Sequence, residues 1–598
     1  MEKRTLQRSG ADRSFMKGAM VMSMSMVIVK LIGMVYKVLL GSVVTGVGYG
    51  IFTLAYSLYD PLFMLATGGF PIAISRLVSK SVAENRYRDV KKLHKITIPL
   101  FIITGTICFT AMVLLSGWYS GMVRNENVRF AVCALAPTIL FGCLMSIYRG
   151  YFEGMRNMVP TAISEVIEAG GKLLVGLTAA VIVSNIATNE YRSSGTVFGV
   201  YYGDNYTQAT SAIDTWTICA ALLGIVAGAA LGFIFLVMRY KFKGCDVTRR
   251  QLYYSEPART GKEITWDLVK TAIPIGLNSL VLSISSTIDS TLIQMRITDL
   301  SQNSAERLIS SFQQVSGATM DYSAMAQQYV DNGSFATFLT GSYGYAQTLM
   351  MLVTALTQAF GSSALPSLTA AWTRGDKDEI RGNMNMILKL TLCVALPAGL
   401  ALAVFAQPLI FMLYGRGDVF AADVAAQILQ ILGISVIFIA TSTPICSMLQ
   451  AVGRVDLPLK LMSIAMVIKI ALNYTLVGIP EINIQGAAVG SLVAYLFVVV
   501  VGLYFLCKET KIVPDFLNAF IKPLIAAAVC VVLGKLAFNL LEEYIMPYYA
   551  AMIIVVVLVV IMYILALTLL RAVTKNEISA MPKGEKIAKL LEKIHVLR

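Results

Sequence analysis

Histidine is nearly missing from this chain. The two present, His94 and His595, fall in segments flanking apolar runs and not inside them. That argues against an intramembrane imidazole relay and against a zinc site. The nine cysteines are scattered, eight of them within apolar runs and Cys245 in a basic connection. No Cys-x-x-Cys pair or disulfide framework can be drawn from them. There is no G-x-x-x-x-G-K-[ST] loop, so the chain carries no ATPase of its own. Asp376-Lys377-Asp378 resembles a metal-binding D-x-D, but its connection is short and reads as a solvated turn. No segment between apolar runs is large enough to be a catalytic domain.

What is present is hydrocarbon. The chain has 598 residues, 57% of them hydrophobic, and a mean hydropathy of +0.70. Crossing a bilayer takes about 20 mostly apolar residues. Fourteen such runs can be drawn, at 15–40, 49–79, 95–116, 128–152, 160–184, 212–240, 266–295, 340–372, 384–414, 423–450, 458–478, 484–507, 516–540 and 548–571. Helices are expected, because lipid leaves backbone polar groups no outside partner. The second and eighth runs are long and should tilt or break. The first is interrupted by Lys30 and Lys37 and lacks a small-residue cleavage site, so it is expected to be a span and not a signal peptide.

A repeat is hidden in these runs. Pro99, Arg156 and Pro160 recur 298 positions later as Pro397, Arg454 and Pro458. Thr97-Ile98-Pro99-Leu100 answers Ala395-Leu396-Pro397-Ala398, and Phe70-Pro71 answers Leu365-Pro366 at a spacing of 295. Two similar membrane-embedded halves are a common build of secondary transporters, with the substrate between them. The long connection 297–336 is polar, and no apolar core of its own is expected there.

Basic residues alternate from connection to connection. Lys3, Arg4, Arg8, Arg13 and Lys17 precede the first span, Lys80 to Lys92 follow the second, and Arg239 to Lys262 follow the sixth. The intervening connections are neutral or acidic. Both termini are therefore expected in the cytoplasm. The formal charge of +14 reports this topology and not nucleic-acid binding. Ile587, Leu590, Leu591 and Ile594 opposite Lys586, Lys589 and Lys593 predict an amphipathic tail helix.

Charges inside spans are costly and usually face water or a partner. Lys30 and Lys37 are seven residues apart and share a helix face. Asp60-Pro61 is expected to break span 2 beside a carboxylate. Glu165, Glu168 and Lys172 fall on one stripe, with Glu168 placed to pair with Lys172. Asp289 lies in span 7 with Arg296 seven residues on, Lys389 starts span 9, and Lys469 and Asn473 share a face in span 11. The recurrent lysines suggest an anionic substrate.

Several stretches resemble the MOP superfamily of multidrug, oligosaccharidyl-lipid and polysaccharide exporters. Leu396-Pro397-Ala398-Gly399-Leu400 through Gln407-Pro408-Leu409-Ile410 to Leu413-Tyr414-Gly415-Arg416-Gly417 is similar to its second-half signature. Tyr343-Gly344-Tyr345-Ala346-Gln347 looks like its eighth helix, and Arg149-Gly150-Tyr151-Phe152-Glu153-Gly154-Met155-Arg156 resembles the SpoVB/YtgP branch. Fourteen spans match MurJ-type lipid II flippases better than twelve-span drug exporters. Lys30-x-x-Gly33 stands where MurJ-type proteins have a first-helix basic residue. Their eighth-helix Ala-Asp-Arg is Ala346-Gln347 here, and their paired second-helix arginines have no clear counterpart near Phe63-Met64.

The resemblance implies alternating access around a cationic cavity and an undecaprenyl-diphosphate-linked saccharide as cargo. The expected fold is an all-α polytopic membrane protein of fourteen transmembrane helices, with two six-helix lobes related by a pseudo-twofold along the membrane normal and a C-terminal helix pair. The expected divisions are 1–14, a cytoplasmic segment; 15–240, the first lobe; 241–265, a cytoplasmic linker; 266–507, the second lobe; 508–571, the extra pair; and 572–598, the basic tail. Lys30, Lys37, Asp60, Arg296, Gln347 and Lys469 are expected to bind substrate. Asp289, Glu165, Glu168, Lys172 and Asn473 are expected to line the cavity or couple transport, and Arg149, Glu153, Arg156 and Arg454 to form cytoplasmic turns. No cofactor is expected beyond a coupling sodium ion or proton. The expected partners are a lipid-linked oligosaccharide, membrane lipids and cell-envelope synthesis enzymes, in a bacterial cytoplasmic membrane. The alternative function is a multidrug or organic-cation antiporter of the same superfamily, whose cavity would be rich in carboxylates.

Overall fold

A chain this apolar must close its backbone hydrogen bonds within segments, and it does so as helices. The computed structural model describes residues 2–243, 247–312, 321–454, 456–544 and 548–570. Cys245 and the expected tail helix lie outside the described residues. In chain order the helices are α1 (Glu2–Gly41), α2 (Gly46–Thr67), α3 (Phe70–Ala83), α4 (Tyr87–Met122), α5 (Asn127–Leu135), α6 (Pro137–Gly154), α7 (Val159–Gly171) and α8 (Leu177–Ser194). A short hairpin comes next, β1 (Thr196–Val197) and β2 (Val200–Tyr201). Then come α9 (Tyr206–Lys243), α10 (Arg249–Tyr254), α11 (Gly261–Asn303), α12 (Ala305–Ser310), α13 (Ser323–Asp331), α14 (Phe335–Arg374) and α15 (Lys377–Val404). The last are α16 (Ala406–Tyr414), α17 (Val419–Ala451), α18 (Asp456–Leu476), α19 (Gln485–Thr510), α20 (Lys522–Tyr544) and α21 (Tyr548–Leu569). π-helical turns join α7 to α8 (Lys172–Gly176) and precede α20 (Leu517–Ile521).

Every predicted run lands on helix. Among the described residues, however, twelve helical segments are long and apolar enough to cross a membrane, against fourteen expected. Helices α11 and α14, of 43 and 40 residues, are the two expected spans outside that count.

The break expected at Asp60-Pro61 is also elsewhere. Helix α2 runs unbroken through Pro61 to Thr67, and the chain turns at Gly68-Gly69 before α3. Proline deprives the carbonyl four residues earlier of its helical donor. Here that carbonyl, Ser57 O, accepts from Thr287 Oγ1 of α11 at 2.5 Å. With the freed acceptor satisfied, the helix need not end.

The chain folds as two compact units, residues 1–305 with 324–341, and residues 306–323 with 342–598. In the first, α9 crosses α7 and the π-turn backbone to backbone. A Cβ on Gly224 would collide with Gly176, and one on Gly228 would come 2.6 Å from the Glu168 carbonyl. Small residues let membrane helices approach this closely. In the second unit, α20 and α21 pack on α15 through Leu392, Leu396, Phe405, Phe538 and Val555. The polar connection does have a core here: Leu308, Phe312 and Tyr322 are buried. Tyr322 stacks on Phe420 at 4.6 Å and donates to Asp423 at 2.6 Å. The partners of Tyr322 both lie on α17, far away in sequence.

The repeated turns carry the same hydrogen bonds, with a shift. Arg156 N donates to Glu153 O and Asn157 N to Phe152 O; Gly453 N donates to Gln450 O and Arg454 N to Leu449 O. Arg156 (φ 60°) and Gly453 (φ 86°) hold the left-handed position of this helix stop. Arg156 therefore matches Gly453 in geometry, not Arg454. Asp376, of the D-x-D, caps α15 by accepting from Asp378 N and Glu379 N at 3.1 Å.

Candidate functional site

Helices of the first unit bring charge to mid-span positions: Lys30 and Lys37 on α1, Asp60 on α2, Glu165 and Glu168 on α7, and Lys172 at the start of the π-turn. A π-turn inserts one residue into the helical count and rotates the residues beyond it. The expected Glu168–Lys172 pair gives way to other partners. Glu168 Oε2 accepts from Arg149 of α6 at 2.7 Å. Lys172 Nζ donates to the Tyr56 hydroxyl at 3.3 Å and stands 4.8 Å from the Tyr36 ring centroid. It stays within electrostatic reach of Glu168, Lys37 and Asp60.

Two ammonium groups, Lys37 and Lys172, both lie within electrostatic reach of one carboxylate, Asp60. Asp60 is exposed although it lies well inside α2. Around it runs an aromatic ladder on α2: Tyr49, Phe52, Tyr56, Tyr59 and Phe63, with neighbouring centroids 5.6, 4.7, 5.6 and 5.1 Å apart. The site offers two ammonium groups edged by phenol hydroxyls, donors suited to an anion.

A second ring of contacts supports it. Arg149 Nε donates to Ser164 Oγ at 3.0 Å, and Ser25 Oγ to Glu165 Oε2 at 3.3 Å. Glu153 lies within electrostatic reach of Glu165 and Arg149. Seven of the expected residues, Lys37, Asp60, Arg149, Glu153, Glu165, Glu168 and Lys172, are thereby linked. Lys30 is exposed two turns along α1. Asp289 is buried on α11, and Arg296 pairs with Asp299 at 3.8 Å. In the second unit, Gln347 and Lys469 are half-buried, and Asn473 is buried where α18 meets Gly490 of α19. Arg454 pairs with Glu509 at 2.8 Å, whereas Arg156 is exposed.

Sequence reasoning missed the tyrosines, although their alternating three- and four-residue spacing marks one face of α2. It also missed Asp214 of α9. This buried carboxylate accepts from Gly48 N at 3.1 Å and from Thr45 N and Oγ1, capping α2. Among the described residues no group of three or more His, Cys, Asp or Glu side chains could hold a metal ion.

The chain resembles known proteins along most of its length. The family model described as polysaccharide biosynthesis protein matches residues 15–202, and the one described as lipid II flippase MurJ matches residues 195–560. The chain is 22% identical over 490 residues to the lipid II flippase MurJ of Bacillus subtilis, covering 80% of each. It is 22% identical over 512 residues to stage V sporulation protein B of the same organism, covering 84% of this chain and 85% of that one. The solved inward closed conformation of lipid II flippase MurJ superposes with a TM-score of 0.59 at 13% identity, covering 92% of this chain and 98% of that one. With over half of its residues matched by one model, the chain belongs to the MurJ family, whose members are transporters and not enzymes.

Proposed function

We propose that this flippase-type transporter carries an undecaprenyl-diphosphate-linked saccharide, lipid II foremost, from the inner to the outer leaflet of the bacterial cytoplasmic membrane. One observation carries the reading: Lys37 and Lys172 stand within electrostatic reach of a single carboxylate, Asp60, and Lys172 donates to the Tyr56 hydroxyl. A diphosphate needs N–H and O–H donors, whereas an organic cation would need acceptors. The alternating basic connections support cytoplasmic termini. In this reading all fourteen runs span, two six-helix lobes related by a pseudo-twofold alternate in access, and α20 with α21 forms an added pair. Net movement of an anionic lipid then draws on a sodium or proton gradient, the membrane potential, or consumption of cargo by cell-envelope enzymes.

The test is a flipping assay in proteoliposomes with labelled lipid II. Lys37→Ala and Lys172→Ala should each slow flipping about tenfold or more, the value of one charged hydrogen bond, with folding retained. Wild-type flipping by the double variant, or export of organic cations in its place, would overturn the reading.

A further inference from the structure

The connection between α8 and α9 is built, not loose. Thr196 pairs with Tyr201 and Val197 with Val200, so Phe198 and Gly199 form a two-residue turn. Both have positive φ, 48° and 82°. Such turns favour asparagine followed by glycine, and a bulky residue at positive φ is an outlier. Glu190 of α8 pins the turn, accepting from Phe198 N at 3.1 Å, Gly199 N at 3.0 Å and Thr196 Oγ1 at 2.9 Å. A large apolar side chain is thus held at a position that ordinarily rejects it.

The Phe198 ring packs edge-on against Trp216 of α9 at 5.6 Å, and Trp216 lies 6.1 Å from Phe130 of α5. All three stay open, at 44%, 45% and 53% exposure, and Tyr201 beside them is at 74%. No charged residue lies between Arg192 and Asp204. The depth of this ledge can be read along α9. Arg239, Lys241 and Lys243 close the apolar run at the basic end. About 20 residues, or about 30 Å of hydrocarbon, lead back from there to the neighbourhood of Trp216. Tyrosine and tryptophan are enriched at that boundary, where an amphipathic ring meets headgroups.

We propose that this hairpin is a membrane-interface wedge, seating Phe198, Trp216 and Phe130 among the lipid headgroups and upper acyl chains of the leaflet on its side. In the orientation proposed above that is the outer leaflet. The occupant is lipid, because the ledge is continuous with the exposed apolar side chains of α5 and α9, and the carboxylate beneath it, Glu190, is taken up by the hydrogen bonds of the turn.

The full chain has four tryptophans. Trp118→Phe, Trp266→Phe and Trp372→Phe leave Trp216 as sole reporter. A second variant adds Trp216→Phe and Tyr201→Trp to report the hairpin itself. Both go into phosphatidylcholine and phosphatidylglycerol vesicles with bromines at graded acyl-chain depths. Quenching should be strongest for the shallowest bromines at both positions, and weak with aqueous iodide. Glu190→Ala, which frees the turn, should cut lipid quenching at position 201 at least twofold and spare that of Trp216. Iodide quenching without lipid quenching would place the hairpin in water. Protection from both quenchers would mean protein or saccharide cover, and a maximum at mid-chain depth would mean burial in hydrocarbon. Each of these three results overturns the proposal.

Discussion

At the scale of single residues, the decisive feature is Asp60 within electrostatic reach of both Lys37 and Lys172. Asp60→Asn makes the patch more positive by one charge. Apparent affinity for the cargo should tighten by up to about tenfold and turnover should fall, since one attraction at this range is worth on the order of 1 kcal/mol or more. Weaker cargo binding would contradict an anionic ligand. Arg149 has a different task, holding Glu168 and Ser164. Both members of the ion pair are partly exposed, so Arg149→Ala should cost about 1–2 kcal/mol. Thermal unfolding in detergent measures this, and adding Glu168→Gln should recover part of it. Asp289→Asn, if that carboxylate couples transport, abolishes its sodium or pH dependence while sparing cargo binding. Unchanged ion dependence assigns Asp289 to structure.

At the scale of elements, helix ends and crossings carry the stability. Asp214 caps α2 from another helix, and the N-terminal end of a helix favours a carboxylate. Asp214→Ala should therefore cost about 1–2 kcal/mol; no shift in unfolding temperature would show the cap to be redundant. Gly224→Leu forces α9 away from the π-turn and should abolish the folded protein, whereas Gly117→Leu, where a Cβ meets nothing within 4 Å, should not. The linker before α11 is clipped to α4: Asp89 accepts from Arg86 at 2.8 Å and Arg259 at 2.9 Å, and Arg259 also reaches Asp267 at 3.0 Å. The hydrogen bond from Arg259 to Asp89 raises the guanidinium pKa above its ordinary value. This clip holds the entry of α11.

At the scale of the whole molecule, topology can be tested directly. In a cysteine-free background, Tyr253→Cys on α10 and Asp204→Cys beside the hairpin should label from opposite sides of the membrane. Labelling from the same side would overturn the assignment of the termini. Much of this scale was legible in sequence. All fourteen apolar runs became helix. The site was legible as residue types, not as pairs. Glu168 and Lys172 have the spacing of partners, yet the π-turn at Lys172 and the arrival of Arg149 from α6 redirected both.

Sequence alone determined that this chain is a polytopic helical membrane protein with lysines inside its spans. The reason is that insertion reads nearly one-dimensional quantities: apolar run length and the basic residues between runs. Its repeat was visible as well, though only geometry shows that Arg156 answers Gly453. Tertiary structure decided which acceptor each donor meets. Thr287 satisfies Ser57 across 230 residues and lets α2 pass through Pro61, and Asp214 caps α2 from across 166. Tyr56 and Tyr36 receive Lys172 because α1, α2 and the π-turn present those faces to one another. Such meetings depend on helix rotation and crossing, which are set by backbone contacts such as Gly176 on Gly224 and are not encoded in any spacing along a single helix.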